Sequence, residues 1–257
     1  MNREAANANV LLMDRVRPRT VNRVYGFTPG WMLATLISVP LVATLFWWLG
    51  SSLFASRLSL FDFQQLAVLI AGATAGGYQL YFWIQRNNRH LPARCLELPV
   101  DGLIGFRPRW IWIYGIGYYA MMGLTILSLQ SLGAGVNLVF GGLMVLVAGC
   151  AIFYFFPTET PASFRSYEAG CLSARYLAFI QTMDSRRNAF PSMHCALATY
   201  VGLMLVPTIG PWLGYGYISV LAASCLYVKQ HVIADIVGGI VLGLVVFNAN
   251  AWLVTLS

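Results

Sequence analysis

The chain has 257 residues, 58% hydrophobic and only 10% charged. Soluble domains carry roughly 25% charge, so this composition excludes an ordinary soluble domain and predicts an integral membrane protein. The formal net charge is +7, but the basic residues flank apolar stretches, as in membrane proteins, which argues against a nucleic-acid partner.

In chain order, residues 1–30 form a basic arm carrying Arg15, Arg17, Arg19 and Arg23, suited to anionic lipid headgroups. Residues 31–257 are expected to make a single membrane-embedded domain. Apolar spans are predicted at 31–50, 65–84, 110–130, 135–156, 193–208, 212–228 and 232–254. A bilayer core takes about 20 apolar residues, so the fold class is all-α, a polytopic bundle of about seven transmembrane helices. Small residues at 71–77 and 238–243 suit close helix packing, and aromatic residues gather at span ends, as interfacial belts do. The longest polar loop, 157–192, carries Glu159, Arg165, Glu168, Arg175, Asp184, Arg186 and Arg187. The five cysteines match no zinc spacing, and an odd number argues against a complete disulfide framework. No acidic cluster offers a metal site, and no cofactor is implied.

Two of the three histidines fall in motifs. His194 ends Pro191-Ser192-Met193-His194, and His231 begins His231-Val232-Ile233-Ala234-Asp235. Residues four apart share a helix face. Asp235 can therefore hold one nitrogen of His231 and leave the other as a nucleophile, steadying the charge that develops. An acid at membrane depth is costly and marks function by default. Pro191 favours a helix start, whose N–H groups attract anions, with Ser192 as a further donor. Each motif alone also reads as packing: a His–Asp pair joining two helices, or a serine cap. Between the histidines there is room for one span out, a turn at Pro207–Pro211 and one span back, so both meet at one membrane face. Arginines near such a site can clamp phosphate oxygens.

Together these residues resemble the type-2 phosphatidic-acid phosphatase superfamily over about residues 98–245. Pro191-Ser192-Met193-His194 matches its Pro-Ser-Gly-His motif. Ser224, His231 and Asp235 are in register with its Ser-Arg, five residues, His-x-x-x-Asp motif. Cys225 stands where that motif has arginine, and its Lys-x6-Arg-Pro motif has no counterpart. With Asp101-x-x-Ile104-x-Phe106-x-Pro108, Phe156-Pro157-Thr158 and Asn188-Ala189-Phe190, these departures are nearest to the inositol-phosphorylceramide and sphingomyelin synthase-like branch. The resemblance implies a six-helix core and metal-independent transfer through a phosphohistidine. His231 would be the nucleophile, Asp235 its orienter, and His194 the general acid and then base. Ser192 would bind phosphate oxygens, with Lys229, Arg165, Arg186 and Arg187 as substitutes for the missing clamp.

The expected activity is that of a lipid phosphate phosphatase. The alternatives are a phosphoalcohol transferase using a lipid alcohol, and a non-catalytic transporter or scaffold. With seven spans, every Lys and Arg except Arg57 falls on the side of the histidines. Basic loops favour the cytoplasm, so the active site is expected on the cytoplasmic face.

Overall fold

The computed structural model describes residues 29–54 and 57–256; the basic arm with Arg15, Arg17, Arg19 and Arg23 lies outside the described residues. Among these there are eight α-helices and no strand: α1 Pro29–Phe54, α2 Leu60–Asn87, α3 Tyr118–Leu127, α4 Leu132–Phe155, α5 Leu172–Met183, α6 Met193–Ile209, α7 Pro211–Tyr227 and α8 Ile233–Leu256. A 3₁₀ turn and a π turn lead into α3, so that Pro108–Leu127 makes one 20-residue apolar segment.

Seven helices stand where the seven spans are expected. Five segments are long and apolar enough to cross a membrane: Ile37–Phe54, Leu60–His90, Pro108–Leu127, Leu132–Phe155 and Ile233–Thr255. The other two, α6 and α7, have 17 residues each, about 26 Å at 1.5 Å per residue. They are joined at Gly210, whose φ of 85° lies in the region glycine enters without steric cost, and Pro211 then opens α7. The second span begins earlier than expected. Ser59 caps α2 by accepting from the Asp62 N–H at 3.1 Å, and Asp62, Gln64 and Gln65 in its first two turns hide the helix start from a hydropathy reading.

The polar loop 157–192 contains a helix that its composition concealed. α5 carries apolar residues on both sides: Ala174 and Leu177 are buried, while Leu172 and Phe179 are exposed. It docks on the start of the third span through a Trp112–Ser173 hydrogen bond of 3.0 Å and a Trp112–Tyr176 stack.

The core sits where α6 packs between α7, α8 and α4. The α6–α8 contact is backbone on backbone. A Cβ on Gly239 would run into the Ser192 carbonyl, and one on Gly243 into the Ala196 carbonyl. Deeper down, the Tyr200 hydroxyl donates to the Asn137 carbonyl at 2.9 Å and accepts from the Asn250 amide at 2.9 Å, tying α4, α6 and α8 together as polar side chains do inside membranes. Large apolar side chains such as Trp212, Val241 and Val245 face outward, as a lipid solvent requires.

At one end the loops are stitched together. Arg94 N–H donates to Pro157, Thr160 N–H to Arg186, and Arg107 N–H to Tyr227, at 2.9 to 3.0 Å. Arg57 belongs to the α1–α2 connection at the opposite end.

Candidate active site

The histidines meet at the stitched end because two helix termini are built there. α7 ends in a Schellman turn: Gln230 N–H donates to the Cys225 carbonyl and Lys229 N–H to Leu226, both at 3.1 Å. Lys229 takes the left-handed position, with φ 57°. The chain then passes His231 and enters α8. The first N–H groups of α8 lack helical partners and are met by two carboxylates. Asp235 Oδ2 accepts from Val232 N–H at 3.1 Å, and Asp101 Oδ1 accepts from Ile233 N–H at 2.8 Å. The same Asp235 oxygen lies 3.3 Å from His231 Nδ1, so the carboxylate that caps the helix also orients the imidazole.

His194 sits in the first turn of α6. Ser192 caps that helix by accepting from Cys195 N–H at 3.4 Å, and its own N–H donates to the Asp235 carbonyl at 2.9 Å. The His194 ring stacks on Tyr114, centroids 4.2 Å apart, with Nδ1 3.3 Å from the Tyr114 hydroxyl; Tyr118 packs against it at 4.8 Å. The two imidazole centroids are 6.4 Å apart. Burial works against a charged His231, but the hydrogen bond and charge of Asp235 outweigh it and raise the His231 pKa above its ordinary value.

Both histidines line a cavity of about 460 Å³. Arg165, Arg186 and Arg187 line it at the loop end, and it continues between α2, α3, α4 and α6 past Ile70, Val139, Leu143 and Leu146. Arg165 Nη1 donates to the carbonyls of Gln181 and Asp184 at 3.1 and 3.0 Å, and Arg187 Nη1 to that of Asn88 at 2.8 Å. Arg186 lies 3.8 Å from Glu159. The loop arginines are thus fixed in place by carbonyls and one carboxylate.

Two expected phosphate contacts are placed differently. Lys229 is not among the cavity-lining residues; its Nζ donates to the Asp101 carbonyl at 2.9 Å and lies 4.7 Å from the Phe164 ring centroid. Ser192 is fully buried in its capping role and does not line the cavity either. Cys225, at the position of the missing arginine, is buried among Ile111, Tyr114 and Ile236, with its Sγ 3.9 Å from that of Cys195.

Four contributors went unread in the sequence. In the sequence Asp101 belongs only to a fragment of resemblance, and its capping partner lies 132 positions away. Tyr114, which carries His194, sits in the π turn. Gln230 lines the cavity, 8% exposed, and its amide nitrogen has no hydrogen-bond partner among the described residues; its place directly before His231 was the available signal. Asp184, another wall residue, was seen only as a loop charge. Burial pushes its carboxyl above the ordinary carboxylate range, against the opposing pull of Gln85, Arg165 and His231. No group of three or more metal-ligating side chains occurs among the described residues.

The profile of the PAP2 superfamily matches residues 109–249, more than half of the chain and the stretch that holds both histidine motifs. Neither the curated proteins nor the solved structures yield a match. With its apolar helices, paired histidines and this matched stretch, the chain is an integral membrane protein that belongs to the PAP2 superfamily, whose members are generally phosphatases or phosphotransferases.

Proposed function

We propose that this protein transfers the phosphoryl or phosphoalcohol group of a lipid phosphate through a phosphohistidine on His231, and that it acts as a lipid phosphate phosphatase. The observation that carries this reading is the cavity: one chamber joins two imidazoles and three arginines to an apolar interior between spans. A phosphate headgroup matches the first part and an acyl chain the second.

In the first half-reaction His231, oriented through Nδ1 by Asp235, attacks phosphorus through Nε2. The P–N bond forms as the P–O bond to the leaving alcohol breaks, and His194 gives that oxygen its proton. In the second, water attacks phosphorus, yields its proton to His194, and the P–N bond breaks to free His231. The metal-independent route needs the positive charge of Arg165, Arg186 and Arg187 at the phosphoryl oxygens, where such preorganised donors act most strongly. Gln230 supplies a neutral donor beside them. Lys229 and Ser192 support the turn and the helix start that carry the two histidines.

A second reading, a phosphoalcohol transferase of the synthase-like branch, is favoured by Cys225. A thiol in an apolar cluster removes one cation from the family's clamp, which suits a singly charged phosphodiester better than a doubly charged monoester. The active site is proposed to open to the cytoplasm, on the side of the basic loops. Purified protein incubated with phosphatidic acid, lipid diphosphates and phosphodiester lipids, with and without diacylglycerol, tests the two activities. Released phosphate identifies the phosphatase, and a new phospholipid by mass identifies the transferase. Neither product from any lipid would overturn both readings and leave a non-catalytic role.

A further inference from the structure

The cavity wall carries a carboxylate, Asp184, that the mechanism above does not use. Asp184 follows α5, and its Oδ1 accepts from the Gln85 amide and from the Tyr81 hydroxyl, the latter at 3.3 Å. Both donors are neutral. Among the described residues no Lys, Arg or His nitrogen stands within 4.0 Å of this carboxylate. Arg165, the nearby cation, binds the Asp184 backbone carbonyl instead. Asp184 is only partly buried, and its Oδ2 is not among the side-chain atoms sealed away without a partner, so this oxygen is open to a ligand in the chamber that Asp184 lines. Oδ2 has no hydrogen bond among the described residues. The charge of Asp184 acts on His231 although the two lie beyond ion-pair distance, and both line the same chamber. A substrate in that chamber has both side chains on its walls.

The chemistry of that group follows from its surroundings. A phosphate oxygen is repelled by a carboxylate. An ammonium is opposed by Arg165, Arg186 and Arg187 on the same walls. An alkyl group would leave the carboxylate desolvated and unpaired. A hydroxyl carries no charge and donates a charge-assisted hydrogen bond.

We propose that Asp184 is a hydroxyl-recognition residue, its Oδ2 accepting from a non-reacting hydroxyl that lies beside the transferred phosphorus. That hydroxyl belongs either to the alcohol esterified to the phosphorus or to a lipid alcohol that receives the group. The proposal rests on the phosphohistidine reading above. It adds that the site selects a polyhydroxylated partner and makes Asp184 the selecting side chain.

The test uses full-length protein in bilayer nanodiscs and two matched pairs of compounds. As donors, phosphatidylglycerol carries headgroup hydroxyls and phosphatidylethanol carries none, at equal charge. As acceptors, monooleoylglycerol keeps a second hydroxyl and oleyl alcohol has none. The wild-type protein should prefer the hydroxyl-rich member of one pair, and Asp184→Asn should reduce that preference about tenfold or more, as loss of a charged hydrogen bond does. An effect within the donor pair assigns the hydroxyl to the headgroup; one within the acceptor pair assigns it to the receiving alcohol. Asp184→Glu, which keeps the charge, should retain more of the preference than Asp184→Asn. Absence of any preference in the wild type, or an unchanged preference in Asp184→Asn, overturns the proposal. If Asp184→Asn does not fold, the wild-type preference and Asp184→Glu decide. A His231 adduct, followed by mass, separates the two levels: adduct without preference sinks only the hydroxyl proposal, and no adduct with any lipid sinks the mechanism beneath it.

Discussion

The backbone N–H of Ser192 donates to the carbonyl of Asp235 at 2.9 Å. This bond joins the start of α6 to the start of α8, and so joins the residue before the His194 turn to the residue that orients His231. The spacing of the two backbone segments that carry the imidazoles is therefore held by a backbone bond.

Replacing His231 with alanine should abolish turnover of lipid phosphate. His194→Ala should abolish it as well, or leave only cleavage of esters with good leaving groups such as p-nitrophenyl phosphate, because general acid catalysis matters least there. Initial rates in detergent micelles check both. A His231→Ala rate above about a tenth of wild type would rule out a histidine nucleophile, since covalent catalysis loses its first step.

The charge of the clamp should come from the loop arginines. Arg165, Arg186 and Arg187, each changed to glutamine, should include at least one position costing more than about 2 kcal/mol of transition-state binding, read from kcat/KM. Lys229→Gly should cost far less, since glycine suits the left-handed position of the turn. A large loss at Lys229 with none at the arginines would invert this assignment.

The acid limb of the pH–rate profile should report His231. In the proposed mechanism its neutral ring is the nucleophile, and Asp235 raises its pKa above the ordinary 6.5. Activity should therefore fall with acid through a midpoint above 6.5. Asp235→Asn removes the hydrogen-bonded charge and leaves burial, which favours the neutral ring, so the residual activity should show its midpoint shifted downward. An unmoved midpoint would mean that another group controls the limb.

Gly239 should tolerate no side chain. Gly239→Val forces the α6 and α8 backbones apart and should destabilise the protein by about 1–3 kcal/mol, the range for overpacking, with a larger proportional loss of activity. Gly216, beside which a Cβ meets open space, is the control: Gly216→Ala should leave the unfolding temperature in detergent unchanged or slightly raised. Equal effects at the two glycines would argue against the backbone contact.

Membrane orientation is checked by labelling. Cys171 is exposed at the histidine end. With the other four cysteines removed, an impermeant maleimide applied to intact cells should leave it unmodified until the membrane is opened. Ready labelling would assign the site to the outer face.

The spans and the histidine motifs were legible because both are local patterns: an apolar run needs only itself, and four-residue spacing fixes one helix face. What stayed hidden depends on distance or ambiguity. α5 looked like a loop because its apolar residues divide between two faces. Asp101 could not be linked with Ile233 across 132 positions. Asp184 read as a solvated charge because nothing near it in sequence announces Gln85 or Tyr81. Lys229 looked like a phosphate ligand from its nearness to His231, yet a left-handed turn directs its side chain toward Asp101.

The side-chain-free seam at Gly239 and Gly243 also bears on how the chamber could hold the proposed lipid substrate. Two helices in backbone contact behave as one plate, and both histidines are mounted on it. The opposite wall, α2 and α3, faces the chamber with Tyr78, Tyr81, Tyr118 and Tyr119, so whatever occupies it lies between a backbone-sealed plate and an aromatic face.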